Sequence, residues 1–504
     1  MPLKAARSDM GRLWAAGVLG FYGVIYVIHA LAPEIQPDGY TYHLGLAREY
    51  ARIGWFPDRV GFYEMLPQGL EILFALAYAL GGQAAAKLVH FAFLAATVPL
   101  IFAVARRLGL EAWHGYVASI LYFCAPVTGI AGTSAYNDAA LVFFTLAAFY
   151  ALLAGHAFSC GLLAGCCYAV KPTGLAIVAG VLLYFVARRS WRSAALAVSG
   201  AALMIAPWMV RNALVTGNPM APLLNGVFPN PYFHIAEEET LATFFRSYGD
   251  VTARAVPLEL TIRGNRLQGL LGPIFLLSPL ALLALRHKAG RIILGAAVIA
   301  GAPWFLNIGA RFLMPALAFL SLALAIAVPR RLVWTLAAAH AITSLPWALD
   351  LYSEPYSWRL RGFPWRAALR LQDERGYLRS RLVEYPRAEL VSARLVPGTP
   401  FLDLAGAPAA YTDAKPVEPW HAARPGRAFD ALRIASSGER WILQRIEARW
   451  PEREIDALRI VLAAAPAGSW SIQEVELAPA RNLRWSLDAG PNPWEAALAF
   501  DRNP

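Results

Sequence analysis

The stretch GRLWAAGVLGFYGVIYVIHALA (residues 11–32) decides the fold class of this chain. It is apolar over roughly 20 residues, the length that an α-helix needs to cross about 30 Å of hydrocarbon. Comparable apolar runs recur as far as residue 349, and the chain of 504 residues is 58% hydrophobic and only 16% charged. This composition excludes an ordinary soluble domain. The sequence therefore predicts an all-α, polytopic membrane domain over residues 1–349, with the first run as an uncleaved anchor.

A second stretch, LPQGLEILFALAYALGG (residues 66–82), sets the topology. Its apolar body is short for a span, and Glu71 interrupts it, so it is better suited to an interfacial or re-entrant helix. If it does not cross, every basic cluster between the spans lies on the same, cytoplasmic side as the basic N-terminus. About eleven spans are then predicted, near residues 12–32, 84–105, 113–131, 138–154, 158–170, 173–187, 193–213, 268–285, 291–307, 311–328 and 332–349.

The composition changes after residue 349, where Arg, Glu, Asp and Pro become frequent. We expect a basic, aromatic and partly helical connector over residues 350–390, lying along the outer headgroups. A smaller, β-rich extracytoplasmic domain is predicted over 391–504, from the alternating stretches AELVSARL, IDALRIVLAA and SWSIQEVELA. The last two stretches and the tail resemble parts of discoidin-like sandwiches. This leaves two alternatives: a domain cut short at residue 504, or an accidental likeness.

Charge and cysteine content exclude two other classes. The net charge is +11, but the positive residues lie in short clusters between apolar runs, a pattern of membrane topology rather than of nucleic-acid binding. The cysteines give neither a disulfide framework nor a CxxC metal site, because all four lie in apolar segments, at Cys124, Cys160, Cys166 and Cys167.

The predicted topology gathers ionisable residues on the outer face, in the loops 33–83 and 214–267 and at the outer ends of spans. Such residues are expensive to bury unless they face a cavity or the interface. Each has a plain structural explanation when taken alone. Asp38 and Asp138 suit helix caps, Lys171 and Arg311 suit the membrane interface, and His90, His156 and His340 suit packing positions.

Six motifs that follow one another along the chain indicate a function more specifically than these single residues do. They are PDGYTYHLGLAREYARIG (37–54), LPQGLEILFALAYALGG (66–82), SAYNDAALVFF (134–144), YAVKPTG (168–174), PWMVRNALVTGNPMAP (207–222) and GARFLMPALAFL (309–320). Together they resemble the polyprenyl-phosphate-sugar-dependent glycosyltransferases of the GT-C class, which include the protein O-mannosyltransferases and the lipid A aminoarabinose transferases. The chain departs from that pattern at Asp38-Gly39, where many relatives have paired acidic residues, and at Pro67-Gln68, where several have Pro-Pro.

The resemblance implies an inverting membrane glycosyltransferase in a bacterial cytoplasmic membrane. It would transfer a sugar from a polyprenyl-phosphate donor to a glycan, lipid or protein acceptor on the outer face. Asp38 matches the catalytic base of the class and Asp138 its second acidic residue, and both are predicted to be catalytic. The predicted substrate-binding residues are His43, Lys171, Arg211 and Arg311. Lys171, Arg211 and Arg311 suit the departing phosphate, which calls for nearby positive charge. His43, with Asp138, would orient the acceptor or the base. No cofactor is implied, although a divalent-metal site formed by Asp38, Asp138 and His43 is an alternative.

Two other functions are compatible with an outer-face site. A lipid-linked glycan flippase or transporter without catalysis would show inverted repeats and ionisable residues near span midpoints. The sequence shows no repeat, and its charges lie at span ends. A polymerase of lipid-linked glycans would carry a large central loop rather than a catalytic first loop.

Overall fold

The computed structural model describes residues 2–54, 56, 60–233, 235–248, 251–350, 362–403 and 406–417. The N-terminal half of the described chain consists of helices joined by short turns. Its α-helices are α1 Pro2–Leu31, α2 Leu44–Ile53, α3 Phe62–Met65, α4 Gly69–Arg107, α5 Ala112–Phe123, α6 Pro126–Thr133, α7 Asp138–Ala154, α8 Ala157–Val170, α9 Leu175–Ala187 and α10 Trp191–Thr216. A π-helical turn, Gly39–His43, precedes α2, and a 3-10 turn, Pro172–Gly174, precedes α9.

The second half contains shorter helices and several 3-10 segments. The α-helices are α11 Ile235–Ser247, α12 Val256–Leu258, α13 Lys288–Gly301, α14 Met314–Ala327, α15 Arg330–Leu349, α16 Trp365–Ala368, α17 Glu374–Arg381 and α18 Tyr385–Arg394. A π-helical turn covers Glu259–Arg263, and 3-10 segments cover Pro273–Arg286, Ala302–Phe305, Ala310–Leu313 and Ala409–Tyr411. Two short strands, β1 Pro400–Leu402 and β2 Lys415–Val417, pair in parallel.

All eleven predicted spans fall on helical segments, but their number is only partly confirmed. In the described chain, five helices are long and apolar enough to cross a membrane, or six if α5 and α6, bent by 69°, form one span. Four other apolar helical segments among the described residues are shorter: Asp138–Ala154, Ala157–Val170, Pro172–Ala187 and Pro273–Arg286. Pro172 separates α8 from α9, because proline cannot continue the first helix. The protein is an integral membrane protein with a mostly helical fold.

Helix α4 joins the predicted interfacial helix to the predicted second span. Gly81 (φ −155°, ψ 21°) and Gly82 (φ 65°, ψ −159°) are not helical, so the chain bends between residues 69–80 and 83–107. Gly82 has a left-handed φ that favours glycine. The bend agrees with two separate helices, and the interfacial position of the first one stays a prediction.

Glycines bring α8 and α10 into close contact. A Cβ atom on Gly161 would overlap the backbone of Ala197, and one on Gly200 would overlap the backbone of Phe158. Small residues allow this approach of two backbones, as is common between membrane helices. This packing fixes the position of Lys171, which directly follows α8.

The bundle has two chemically different ends. At one end His29, near the end of α1, donates from Nε2 to the carbonyl of Ala348, near the end of α15, at 2.8 Å. At the other end the Arg107 side chain, closing α4, donates to the carbonyl of Leu153, near the end of α7. The first end holds the acidic and basic residues described below, and the second carries basic pairs such as Arg106–Arg107 and Arg330–Arg331.

The prediction of a strand at AELVSARL (388–395) is wrong, because residues 385–394 form α18. Pro386 lies in its first turn, where its missing N–H costs nothing, and Glu389 accepts from Arg379 Nε of α17 at 2.7 Å. Leu390 is 59% exposed, so no alternating buried face exists to support a strand. The stretches IDALRIVLAA and SWSIQEVELA lie outside the described residues, and the domain boundaries at 349 and 390 stay predictions.

Candidate active site

Asp38 lies at the start of the π-helical turn Gly39–His43, and its Oδ2 accepts a hydrogen bond from the Arg311 guanidinium. Arg311 comes from the 3-10 turn that leads into α14. The next residue has to be glycine, because a Cβ atom on Gly39 would come within 2.7 Å of the Glu34 side chain. The side chains of Asp38 and Arg311 stay 25% and 18% exposed. A molecule that enters this end of the bundle can therefore reach both.

The charge on Asp38 is stabilised by its neighbours. Burial acts to raise the pKa of this carboxyl, but the Arg311 guanidinium, together with His43 and Lys171, holds the pKa below its ordinary value. Asp38 is therefore an anion at neutral pH.

Asp138 forms the second ion pair of the site, and Lys171 Nζ donates to its Oδ1 at 2.6 Å. The Asp138 side chain is 2% exposed, and its Oδ2 is buried without a hydrogen-bond partner. Asn137 ties the two elements together, since its Nδ2 donates to the carbonyl of Val170 at the end of α8. Asp138 thus fixes Lys171 rather than capping its helix.

Aromatic rings join the two ion pairs into one cluster. The ring of Phe312 has Lys171 Nζ at 4.2 Å and Arg311 Cζ at 5.4 Å from its centroid. Arg311 Cζ also lies 4.7 Å from the ring centroid of Tyr136. Two carboxylates and two cations therefore share one aromatic-walled site, which is called the charge cluster below: Asp38, Asp138, Lys171 and Arg311.

His43 adjoins this cluster and is held by a residue that was not among the predicted site residues. Its Nδ1 donates to Oε1 of Glu71 at 2.6 Å, and the two side chains are only 2% and 3% exposed. The other oxygen of Glu71, Oε2, is buried without a hydrogen-bond partner. The signal in the sequence was the lone acidic residue within an apolar helix, which is costly unless it has a partner.

Arg211 lies apart from the charge cluster. Its Nη1 donates to the carbonyl of Glu64 at 2.7 Å, and its Cζ lies 4.6 Å from the ring centroid of Phe56. The residue before Glu64 is Tyr63, and its ring stacks on the ring of Tyr42 at a centroid distance of 3.7 Å. Tyr42 belongs to the π-helical turn that follows Asp38. Arg211 therefore holds the segment that carries Tyr63.

The remaining acidic residues of the first predicted loop have other surroundings. The Glu34 carboxylate accepts hydrogen bonds from the backbone N–H groups of residues 35, 36 and 135. It therefore connects the start of the loop to the turn before α7. Glu49 pairs with Lys415 at 3.5 Å. Asp58 lies outside the described residues.

His90 is a packing residue, as predicted. Its Nδ1 donates to the carbonyl of Ser134 at 2.8 Å, and its Nε2 accepts from the N–H of Ala139 at 3.0 Å. Both ring nitrogens are therefore used, and the second contact supports the first turn of α7.

The suggested metal ligands each have a different partner: Arg311 for Asp38, Lys171 for Asp138 and Glu71 for His43. Across the described ranges, no group of three or more His, Cys, Asp or Glu side chains is arranged to hold a metal ion.

The architecture has a counterpart among solved structures. It is similar to the crystal structure of ArnT from Cupriavidus metallidurans bound to undecaprenyl phosphate, with a TM-score of 0.53 and 14% sequence identity. The similarity covers 80% of this chain and 85% of ArnT. The chain has the ArnT fold. ArnT is an aminoarabinose transferase of the GT-C fold, so the predicted GT-C-like membrane architecture is confirmed.

The apo state of the same ArnT is also similar, at a TM-score of 0.49 and 15% identity, over 80% of this chain and 85% of that one. No family model matches the chain, and no curated protein matches it.

Proposed function

We propose that this protein is an inverting glycosyltransferase that moves a sugar from a polyprenyl-phosphate donor to an acceptor on the extracytoplasmic face of a bacterial cytoplasmic membrane. The observation that supports the proposal most strongly is the charge cluster. It combines a partly exposed, ionised carboxylate, Asp38, with two cations at one end of a bundle that has the ArnT fold.

The two cations suit the phosphate of the donor. Arg311 carries five N–H donors, and its hydrogen bond to Asp38 leaves others to bind phosphate oxygens. Lys171 adds a second positive charge, and its side chain is 12% exposed. The ArnT structure contains undecaprenyl phosphate, a lipid phosphate of the kind that such a transfer would release. Preorganised positive charge at the leaving group is usually the largest electrostatic contribution to such a transfer.

Asp38 suits the role of general base toward the acceptor. An acceptor hydroxyl is a weak nucleophile, and a carboxylate that removes its proton contributes about 10²-fold or more to the rate. In the proposed step the acceptor oxygen forms a bond to the anomeric carbon, and the bond from that carbon to the phosphate oxygen breaks. The hydroxyl proton goes to Asp38, and the lipid phosphate leaves toward Arg311 and Lys171. A single displacement of this kind inverts the anomeric carbon.

Asp138 and Arg211 support this site without touching the reacting atoms. The buried pair with Asp138 holds Lys171 toward the ring of Phe312. Arg211 binds the backbone at Glu64, next to Tyr63, so it shapes the wall of the site that Tyr42 and Tyr63 form. Catalysis is thus assigned to Asp38, with Asp138 and Arg211 as positioning residues.

The purified full-length protein, incubated with a panel of polyprenyl-phosphate sugars and an acceptor mixture, tests the proposal. We expect release of the lipid phosphate with at least one donor and transfer of its sugar. A flippase or transporter would bind a donor and leave the sugar attached. Binding without release across the whole panel would therefore contradict the enzyme and favour the transporter.

A further inference from the structure

We infer that Glu34 is a positioning residue for the transfer, whose buried carboxylate holds Asp38 and Asp138 in a fixed arrangement. The inference rests on the proposed function and adds to it the source of the spacing between the base and the residue that fixes Lys171. Glu34 is only 1% exposed and takes part in none of the steps above. A buried carboxylate is costly unless hydrogen bonds compensate for it, and those of Glu34 lead to both halves of the charge cluster.

The two oxygens of Glu34 bind two separate segments of the chain. Oε1 accepts from the backbone N–H groups of residues 35 and 36, at 2.9 and 2.8 Å. Oε2 accepts from the N–H of Ala135 at 2.6 Å. The first segment leads directly to Asp38, and the second leads directly to Asp138. One side chain therefore joins the start of the first loop to the turn before α7.

Lys87 of α4 fastens this junction to the bundle. It is 3% exposed, and its Nζ lies 4.0 Å from Oε2 of Glu34. The same Nζ donates to the carbonyls of His29 and Ala32, at 2.9 and 2.8 Å. Carbonyls at the C-terminal end of a helix such as α1 have no partner within the helix. The pair of Lys87 and Glu34 thus links the end of α1, the first loop and the turn before α7.

The packing at Gly39 brings Glu34 into contact with the residue that follows Asp38. A Cβ atom on Gly39 would come within 2.7 Å of Cγ and Cδ of Glu34. The Glu34 side chain has no freedom to move aside, because its carboxylate is held by three backbone N–H groups. The backbone at Asp38 is therefore positioned by direct contact as well as by hydrogen bonds.

This junction requires a carboxylate and not merely a polar side chain. Backbone N–H donors face both oxygens of Glu34, and an ionised carboxylate accepts at both. A glutamine has the same shape but only one oxygen, so its NH₂ group would meet an N–H donor whichever way the amide is turned. Glu34→Gln therefore releases either the segment before Asp38 or the one before Asp138.

The test compares donor turnover by the full-length wild-type protein and by Glu34→Gln. We expect kcat for release of lipid phosphate to fall about 10²-fold, since a displacement of about 1 Å in a catalytic site costs that much. Donor affinity should change little, because Lys171 and Arg311 are both retained. The matched control is Glu259→Gln, since Glu259 is also buried, at 4% exposure, but lies outside the charge cluster. We expect the control to keep the wild-type kcat.

The coupling between Glu34 and Asp138 separates positioning from a general effect on the fold. If Glu34 acts through the turn before α7, its contribution depends on Asp138 being present to hold Lys171. We therefore expect the double variant Glu34→Gln/Asp138→Asn to lose less kcat than the product of the two single losses, by about threefold or more. Losses that multiply, as they do for independent sites, would contradict the inference.

Gly39→Ala disturbs the same contact with the carboxylate retained, and it decides the question if Glu34→Gln fails to fold. We expect a loss of kcat at unchanged donor affinity, because the new Cβ displaces the Glu34 side chain. Gly20→Ala is the control, since a Cβ atom on Gly20 meets nothing within 4 Å. Wild-type kcat in folded Glu34→Gln or Gly39→Ala protein would overturn the positioning role. Wild-type protein that releases no lipid phosphate from any donor would instead overturn the proposed function.

Discussion

At the scale of single residues, the two aspartates of the charge cluster differ most in accessibility. Asp38 is 25% exposed beside Arg311, whereas Asp138 is 2% exposed beside Lys171. A carboxylate that accepts a proton from a substrate has to be reachable, and a buried one with a fixed partner serves better to hold that partner. This difference is the reason we propose Asp38 as the base and Asp138 as the residue that positions Lys171.

The low pKa of Asp38 predicts how stability depends on pH. A carboxyl whose pKa is lower in the folded than in the unfolded protein stabilises the fold above its unfolded pKa of about 3.9, and this contribution disappears as the pH falls through the folded pKa. We expect wild-type protein in detergent to exceed Asp38→Asn in stability by a constant margin near neutral pH. Below about pH 4 the margin should shrink.

Thermal unfolding of both proteins across this pH range measures the margin. Asp413→Asn is the control, because Asp413 pairs with Arg48 at the surface, where its side chain is 50% exposed. A margin that stays constant down to the lowest pH, or grows there, would contradict the assignment of a stabilised charge to Asp38.

At the scale of elements, the local sequence predicts helices well and their interruptions less well. The Lys171-Pro172 break and the helix at 138–154 follow from proline geometry and apolar length. The sequence predicts a strand at 388–395, whereas residues 385–394 form a helix in which only Ala388 is buried. With one buried position in eight residues, the helical and the strand periods of hydrophobic residues cannot be told apart. In the fold, Glu389 forms ion pairs with Arg375 and Arg379 of α17, a contact that no local pattern shows.

The bend at Gly81–Gly82 leads to a topological prediction. If residues 69–80 do not cross the membrane, the loop after α4 is cytoplasmic and the loop after α10 is outside. A membrane-impermeant maleimide on intact cells should then label Val227→Cys, at a residue that is 67% exposed, and should label Glu111→Cys only after permeabilisation. The unsubstituted protein, with its four native cysteines, gives the background. Labelling of Glu111→Cys in intact cells would show that residues 69–80 cross.

At the scale of the whole molecule, the site is assembled from ends of helices that are far apart in sequence. Asp38 follows α1, Asp138 begins α7, Lys171 follows α8, and Arg311 precedes α14, 273 residues from its partner Asp38. The topology rule predicted that these residues share one face, because successive spans alternate direction. It could not predict which acid pairs with which base, since pairing depends on how the helices pack.

The same limit explains why the sequence does not predict the partners of Glu71 and Arg211. Glu71 was noticed only as an irregularity in an apolar stretch, because its partner His43 lies 28 residues away and becomes visible only when α4 packs against the first loop. Arg211 has the expected residue type at the expected end of the bundle, but its hydrogen bond goes to the backbone at Glu64. The sequence predicts the type of residue and the end of the bundle where it lies, whereas its hydrogen-bond partner is known only from the folded structure.

The most direct test of the central claim is the turnover of polyprenyl-phosphate sugar by Asp38→Asn, measured with donor binding beside Asp413→Asn. We expect Asp38→Asn to bind donor but to lose sugar transfer by about 10²-fold or more, because the amide cannot accept the acceptor's proton. Asp413→Asn should turn over like the wild type. Turnover at the wild-type rate in Asp38→Asn would show that Asp38 is not the base of this reaction.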